Sequence, residues 1–315
     1  MCLYRYSGAF PIYGETMVRE KFADFLKQLK NAKENGQNVD AIVKKHEHEN
    51  VYFYNDKCIK KILANEKNLI LTTDLINAAL NLIGSDRIEN PKLVHPLIPG
   101  ELGYRSVEPD ILLTNDRKGN RPRDRISIEV QHNGNLYNDR LVLYVARLTS
   151  NMMKQGDVPR LENLNVISFQ FFDTFPKSDN YLHKVQLKNQ EQQVYFDKQT
   201  VTLIEVEKFF KKAQMFANDN SRLAQWLRAI DTLNRGDDFN EFVNDPIFKI
   251  LQNEVKISNF SSRYLMNISM HDFDEGLAKY EKALEIAKKL RDEGVSIEII
   301  QRTTGLFEKE IRELK

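Results

Sequence analysis

The sequence has little cysteine, little tryptophan and no tract rich in glycine or proline: two cysteines, one tryptophan, 13 glycines and nine prolines occur in 315 residues. Cys2 and Cys58 are too few for a disulfide framework or a Cys-rich zinc site, and such sparse usage fits a reducing compartment. A surplus of charge of one sign is also missing. Lys and Arg number 46 against 45 Asp and Glu, so bulk positive charge does not hold this chain to nucleic acid, and any basic surface must be local. Long hydrophobic runs are absent as well. The most apolar long window, Leu69–Gly84, is interrupted by Asp74, Asn77 and Asn81 and does not read as a membrane span. The opening MCLYRYSGAFPIYG lacks the basic-then-apolar order of a secretory signal. The expectation is a soluble cytoplasmic protein with no membrane partner. Walker-type, Rossmann and G-x-S-x-G patterns do not occur, which leaves no case for a phosphate-cradling loop or a serine-hydrolase elbow.

What is present is globular: 29% charged and 41% apolar residues argue against disorder, and the length exceeds what a small stapled domain needs. Phe22, Phe25, Leu26 and Leu29 recur at helical spacing, so residues 1–50 read as a helical N-terminal extension. Ile59–Ile83 reads as one or two helices, with a break at Asn65–Asn68. Strands are expected at Val107–Leu113 and Ile126–Gln131, with a weaker one at Lys92–Leu97. Leu136–Lys154 reads as a helix whose apolar stripe is Leu141, Val145, Leu148 and Met152, with Gly156 as its stop. Strands follow at Asn165–Phe172, Tyr181–Leu187 and Val201–Val206, and the chain then reads as helical to its end. The expected division is 1–50, a mixed α/β domain at 51–212, a helical region at 213–275 and a helical tail at 276–315.

The residues that carry chemistry are Pro109-Asp110 and Glu129-Val130-Gln131. Glu129 and Gln131 are two apart and share a strand face. If the two strands are neighbours, Asp110 meets Glu129 there. Two converging carboxylates repel unless a cation or a proton relieves them, and Mg2+ is the natural oxygen-seeking partner. On spacing alone, the same residues also fit a turn after a proline and solvent-facing strand positions.

The layout of helix, three strands, helix and strands resembles the PD-(D/E)XK nuclease superfamily, and more narrowly its recombination-promoting nuclease and transposase-like group. The matching stretches are VEPDILLTNDRKGN, RISIEVQ, DRLVLYVARLTSNMMKQGD, LNVISFQFFDTF, VTLIEVEKFFKK and LRDEGVSIEIIQRTTGLFEKEIREL, within residues 51–315. The resemblance implies a restriction-endonuclease-like core with a mixed central sheet. It also implies a Mg2+-dependent DNA endonuclease, with Mn2+ as the substitute ion, that hydrolyses phosphodiester bonds. Asp110 and Glu129 would be the metal ligands, and Gln131 would stand where most of the superfamily has lysine. Gln does not titrate, so it is no general base, but it hydrogen-bonds water or phosphate. Asp56, in YNDKCIKKIL, matches an additional acidic residue on the first helix, with Asp74 as a weaker choice and a helix N-cap as the other reading.

Arg117, Lys118, Arg121, Arg123 and Arg125 lie in the loop between the two strands and read as DNA-contact candidates or as a solvated hairpin tip. Arg140 and Arg147, on one stripe of the following helix with Tyr144 and Asn151, are further candidates. His46 and His48 lack a third metal ligand nearby, and His132 reads as structural. The tail has a helix-turn-helix rhythm, but Glu308, Glu310 and Glu313 on its second helix would repel phosphate, so it reads as a packing or oligomerisation element. A catalytically inactive protein on the same fold, binding DNA or a protein, is the alternative that the Gln at 131 keeps open. A homodimer would follow if a chain with one site makes a double-strand break.

Overall fold

The structure is a computed structural model that describes residues 13–98, 107–119, 121–153, 160–304, 306 and 308–312. The chain divides into two compact units. One is continuous, Asn50–Val255. The other joins the described residues up to Glu49 with those from Lys256 onward. Residues 213–255, set apart in the sequence reading, thus belong to the unit that holds the sheet.

The first unit of interest is the sheet unit. It holds a six-stranded sheet in the order β1-β2-β3-β4-β6-β5, with β1 Lys92–Val94, β2 Ile111–Asn115, β3 Asp124–Gln131, β4 Asn163–Gln170, β5 Leu182–Lys188 and β6 Val194–Glu205. β2 and β3 form an antiparallel hairpin, in which Leu112 faces Ser127 and Ile111 faces Ile128. β3, β4 and β6 run parallel, and β5 returns antiparallel along β6. A parallel pair needs a crossover, and α5 (Tyr137–Ser150) supplies it between β3 and β4.

The alternation expected for β3 is present, but both of its faces are covered. Ile126, Ile128 and Val130 are buried on one side, where Phe169 of the neighbouring strand and Phe171 just beyond its end meet the ring of Tyr54 at 6.1 and 4.9 Å. On the other side Leu141, Val145 and Leu148 of α5 pack on Leu112, Leu164, Val166 and Leu203. The helix therefore lies over the polar face of β3, and Ser127 and Glu129 keep 0% and 2% of their surface. The solvent-facing reading of Glu129 is corrected here: α5 returns over it.

The strand expected at Val107–Leu113 begins four residues later. Pro109 cannot donate to a ladder, and Val107 makes only an isolated bridge to Ile98. β6 is longer than expected because its polar half, VYFDKQT, pairs with β5 as an amphipathic ribbon. The helical stretch before the sheet breaks where expected. α3 (Asp56–Leu63) ends at Ala64, a 3-10 turn at Glu66–Asn68 follows, and α4 (Leu69–Ala79) begins. α3 is capped by the Asn55 side chain, which accepts from Lys57 N–H and Cys58 N–H, so Asn55 and not Asp56 is the N-cap. Cys58, Ile59, Ile62 and Leu63 turn inward, which leaves Lys60 and Lys61 on the outer side. α5 stops at Ser150, and Gly156 lies outside the described residues.

After β6 come α6 (Val206–Lys211), α7 (Arg222–Arg235) and α8 (Pro246–Glu254). The other unit is helical: α1 (Tyr13–Glu34), α2 (Val39–Lys45), α9 (Ser262–Asp292), α10 (Ile297–Thr304) and α11 (Glu308–Arg312). Phe22, Phe25, Leu26 and Leu29 of α1 are buried, and Ser269 of α9 donates to the Leu26 carbonyl oxygen at 2.7 Å. Gly294, with φ 77°, closes α9, and Ile300, Leu306 and Ile311 of the tail pack against Ala283 and Ala287. Among the described residues, no helix is long and apolar enough to cross a membrane.

Candidate active site

Asp110 sits just before β2, and its placement follows from the end of the hairpin ladder. The last paired residues are Ile111 and Ile128, and beyond them the Val130 N–H turns toward Asp110, whose Oδ2 accepts it at 2.8 Å. The side chain thus replaces a backbone carbonyl in the ladder. This bond fixes the Asp110 carboxylate beside residue 130 and hence beside Glu129. Glu129 is held from within its own strand, since Ser127 Oγ donates to its Oε1 at 3.0 Å.

The two carboxylates act on each other electrostatically. Burial pushes the Glu129 carboxyl well above its usual range, and the charge of Asp110 pushes it further. Asp110 itself is raised by burial, against the opposing pull of the Val130 N–H and Lys60. Lys60 was not anticipated from sequence. Its Nζ stands 3.2 Å from Asp110 Oδ1, reached from the outer face of α3. Burial works to lower the lysine, but the charge of Asp110 outweighs it, with help from Glu108 and Asp56, and the ammonium is held in its charged form. Asp56, on the first turn of α3, acts on the site through Lys60, four residues on.

Gln131 ends β3 and accepts a hydrogen bond at Oε1 from Arg140 Nη2 in the first half of α5. The Arg140 guanidinium also stands 5.2 Å from the centre of the Tyr137 ring. Tyr137 shares a 2.8 Å hydrogen bond with Ser168, which faces Glu129 across β4. Burial raises the phenols of Tyr137 and Tyr144, and the charge of Glu129 adds to the effect in both. Asp110, Glu129, Gln131, Lys60 and Arg140 therefore form one cluster.

The loop cations do not join it. Arg117, Lys118, Arg121 and Arg123 lie between the far ends of β2 and β3, and Arg125 is the second residue of β3, about 13 Å along the strand from Glu129 at the usual rise per residue. Each is paired with an acid. Arg117 donates to Asp124 at 2.5 Å and to the Asp86 carbonyl at 2.7 Å, and Lys118 reaches Glu89 at 3.3 Å. Arg121 reaches Asp86 at 3.1 Å, Arg123 bonds Asp116 at 2.7 Å, and Arg125 lies 3.4 Å from Glu162. Asp74 is likewise elsewhere, accepting from Arg222 at 2.7 Å and Trp226 at 2.8 Å. His132 is structural, bonded at 2.9 Å to the Tyr54 carbonyl oxygen. His46 pairs with Glu49 at 2.8 Å.

A buried and a partly buried carboxylate, both with raised proton affinity, make a cluster that is electrostatically incomplete. Among the described residues no third His, Cys, Asp or Glu completes an all-protein metal cage. That donor set fits Mg2+, which binds through one or two carboxylates and keeps waters or phosphate oxygens in its other positions. No curated protein and no solved structure matches the chain. A family model described as PD-(D/E)XK nuclease family transposase matches residues 53–276, from the segment before α3 into α9. The chain belongs to the PD-(D/E)XK nuclease family transposases, and its mixed sheet is consistent with an α/β nuclease core.

Proposed function

We infer that this chain is a divalent-metal-dependent DNA endonuclease that hydrolyses phosphodiester bonds. The observation that carries the reading is the placement of Asp110, held at 2.8 Å by the Val130 N–H, beside the buried Glu129. Such a pair is relieved by a cation, and Asp110 and Glu129 would hold Mg2+ or Mn2+. Bound there, the ion supplies a nucleophilic water and offsets charge on the phosphate oxygens.

The chain's own residues do the rest. Arg140 occupies the oxygen of Gln131, so the amide that Gln131 offers to a phosphate oxygen or a water is its N–H donor side. This gives a neutral residue the donor role of a lysine, without its charge. The charge comes from Lys60, 3.2 Å from Asp110, which is placed to stabilise negative charge developing on the phosphate. The Val130 N–H keeps the Asp110 carboxylate aimed while these groups act. Arg140 and Arg147, on α5, are the DNA-contact candidates nearest the cluster, and the five loop cations are engaged elsewhere. A cytoplasmic setting and a homodimer for double-strand cutting belong to the same proposal.

A second reading is a nuclease-fold protein that binds DNA or a protein without cutting. It is favoured by the neutral residue at 131 and by the hold of Lys60 on Asp110. Supercoiled plasmid incubated with Mg2+ and wild type, Asp110→Ala or Glu129→Ala separates the two. Nicking by the wild type alone supports the endonuclease. Binding without nicking by all three supports the second reading, and equal nicking by all three removes the site from Asp110 and Glu129.

A further inference from the structure

The turn from His132 to Leu136 joins Gln131 to α5 and forms the rim of the cluster. It is rigidly built. The His132 ring stacks on Phe171 with centres 4.4 Å apart, and the Asn135 N–H donates to Asn133 Oδ1 at 2.8 Å. Gly134 is pressed onto Phe172, where a Cβ would stand 2.8 Å from ring atom Cδ2, so a larger residue would have to displace that ring. Phe172 is itself braced edge-on by Tyr137, 5.6 Å away.

At the end of this turn stands Leu136, and nothing about folding favours a leucine there. Its backbone is left-handed, φ 56° and ψ 15°, a region where a bulky L residue is an outlier and glycine or asparagine is at ease. It occupies the N-cap position of α5 without any side-chain capping bond. Its side chain is 80% exposed, so it buries no apolar surface in return. A strained backbone that holds an unburied side chain at the edge of a catalytic cluster points from strain toward function. Four residues on, Arg140 holds Gln131, and Leu143, 41% exposed, and Arg147 follow on the same side of the helix.

We propose that Leu136 is a wedge that enters the base stack of DNA beside the phosphate to be cut. The proposal rests on the endonuclease reading and adds a step to it. Leucine has no hydrogen-bonding group, so it reads no base edge; what it offers is apolar surface to a base face. Apolar side chains inserted between base steps unstack and kink a duplex, while neighbouring cations hold its phosphates. Arg140 and Arg147 alternate with Leu136 and Leu143 along the exposed side of α5, which suits that division of labour. The kink would turn the backbone at the inserted step toward Asp110, Glu129 and Gln131. DNA whose bases are already unstacked, at mismatches or bubbles, then needs no wedge.

The test compares wild type, Leu136→Gly and Leu136→Phe on a paired duplex and on the same duplex with a three-nucleotide bubble, in Mg2+. Glycine relieves the left-handed strain, so Leu136→Gly should melt no lower than wild type. It should cut the paired duplex about tenfold more slowly, equivalent to about 1.4 kcal/mol, yet cut the bubble at the wild-type rate. Leu136→Phe, which keeps a stacking surface, should cut both. On an Asp110→Ala background, permanganate reactivity of thymines in the bound paired duplex should fall when Leu136→Gly is added. Equal cutting of both DNAs by Leu136→Gly and wild type overturns the wedge and leaves the endonuclease standing. An equal loss on both DNAs also overturns it, by making Leu136 an ordinary contact. A wild type that cuts neither DNA overturns both readings.

Discussion

The sharpest consequence of burying Glu129 beside Asp110 is that the metal-free protein is less stable than it would be without that charge. The perturbation is Glu129→Gln, which removes the charge and keeps an oxygen to accept from Ser127 Oγ, 3.0 Å away. A carboxyl whose proton affinity is raised on folding adds stability that is fully present below its unfolded value and is lost as pH rises through its folded value. For Glu129 that loss begins in the ordinary carboxylate range near 4.5 and continues upward, because the folded value lies well above it. Asp110, raised from 3.8, acts in the same direction. Each tenfold gain in proton affinity costs about 1.4 kcal/mol at neutral pH, and about 1 kcal/mol moves the melting temperature of a unit this size by about 2–4 °C. Glu129→Gln should therefore melt about 3–6 °C higher than wild type for each such tenfold, in EDTA at about pH 8, and the gap should close by about pH 5. Metal narrows that gap. An ion at about ten times its dissociation constant adds about 1.4 kcal/mol to the wild type and little to the variant. Differential scanning fluorimetry at two pH values, with EDTA and with Mg2+, reads all four conditions. If Glu129→Gln melts at or below the wild type in EDTA at the higher pH, the carboxylate is not an uncompensated charge. If both respond equally to Mg2+, the ion does not bind there.

Three further variants test the same structure. Lys60→Met should leave melting within a few degrees of wild type, because Asp110 keeps the Val130 N–H, but should slow plasmid nicking by about 100-fold, with Lys60→Arg intermediate. Full nicking by Lys60→Met would remove the lysine from the mechanism. Arg117→Ala should cost about 3 kcal/mol in urea unfolding by stranding Asp124, which is 1% exposed, with no change in the salt dependence of DNA binding. Arg147→Ala should do the reverse, lowering the slope of log affinity against log salt by about one with little effect on unfolding. A salt slope that falls for Arg117→Ala would return the loop to the DNA surface.

The hairpin was legible because β3 alternates so regularly that Glu129 and Gln131 fall on one face, whereas β2 reads from Val107, ahead of the proline that delays its start to Ile111. What stayed hidden is long-range. Lys60 looks like one of three lysines on an amphipathic helix, and only the docking of α3 brings it to a carboxylate fifty residues on. The loop looks like a basic patch because three of its counter-charges, Asp86, Glu89 and Glu162, come from outside it, while Asp116 within it and Asp124 at its edge hold Arg123 and Arg117. Near-neutral composition arises here from pairing at close range. The polar side of β3 looks solvent-facing until the crossover helix returns over it, a property of the path between strands and not of either strand's residues.

The Asp124 cluster gives that loop a different significance. Asn115 in β2, Arg117 in the loop and Asn163 in β4 all donate to the Asp124 carboxylate, at 2.9, 2.5 and 3.0 Å. Three segments are thereby pinned to the first residue of β3. Strand side chains alternate with a period of two, so a slip of β3 by one residue would bring Ile128 and Val130 to the site and turn Glu129 and Gln131 to the opposite side. The far end of the hairpin acts as an index pin: it lies outside the Asp110 cluster, yet it determines which of two neighbouring side chains, a carboxylate or an aliphatic, faces that cluster.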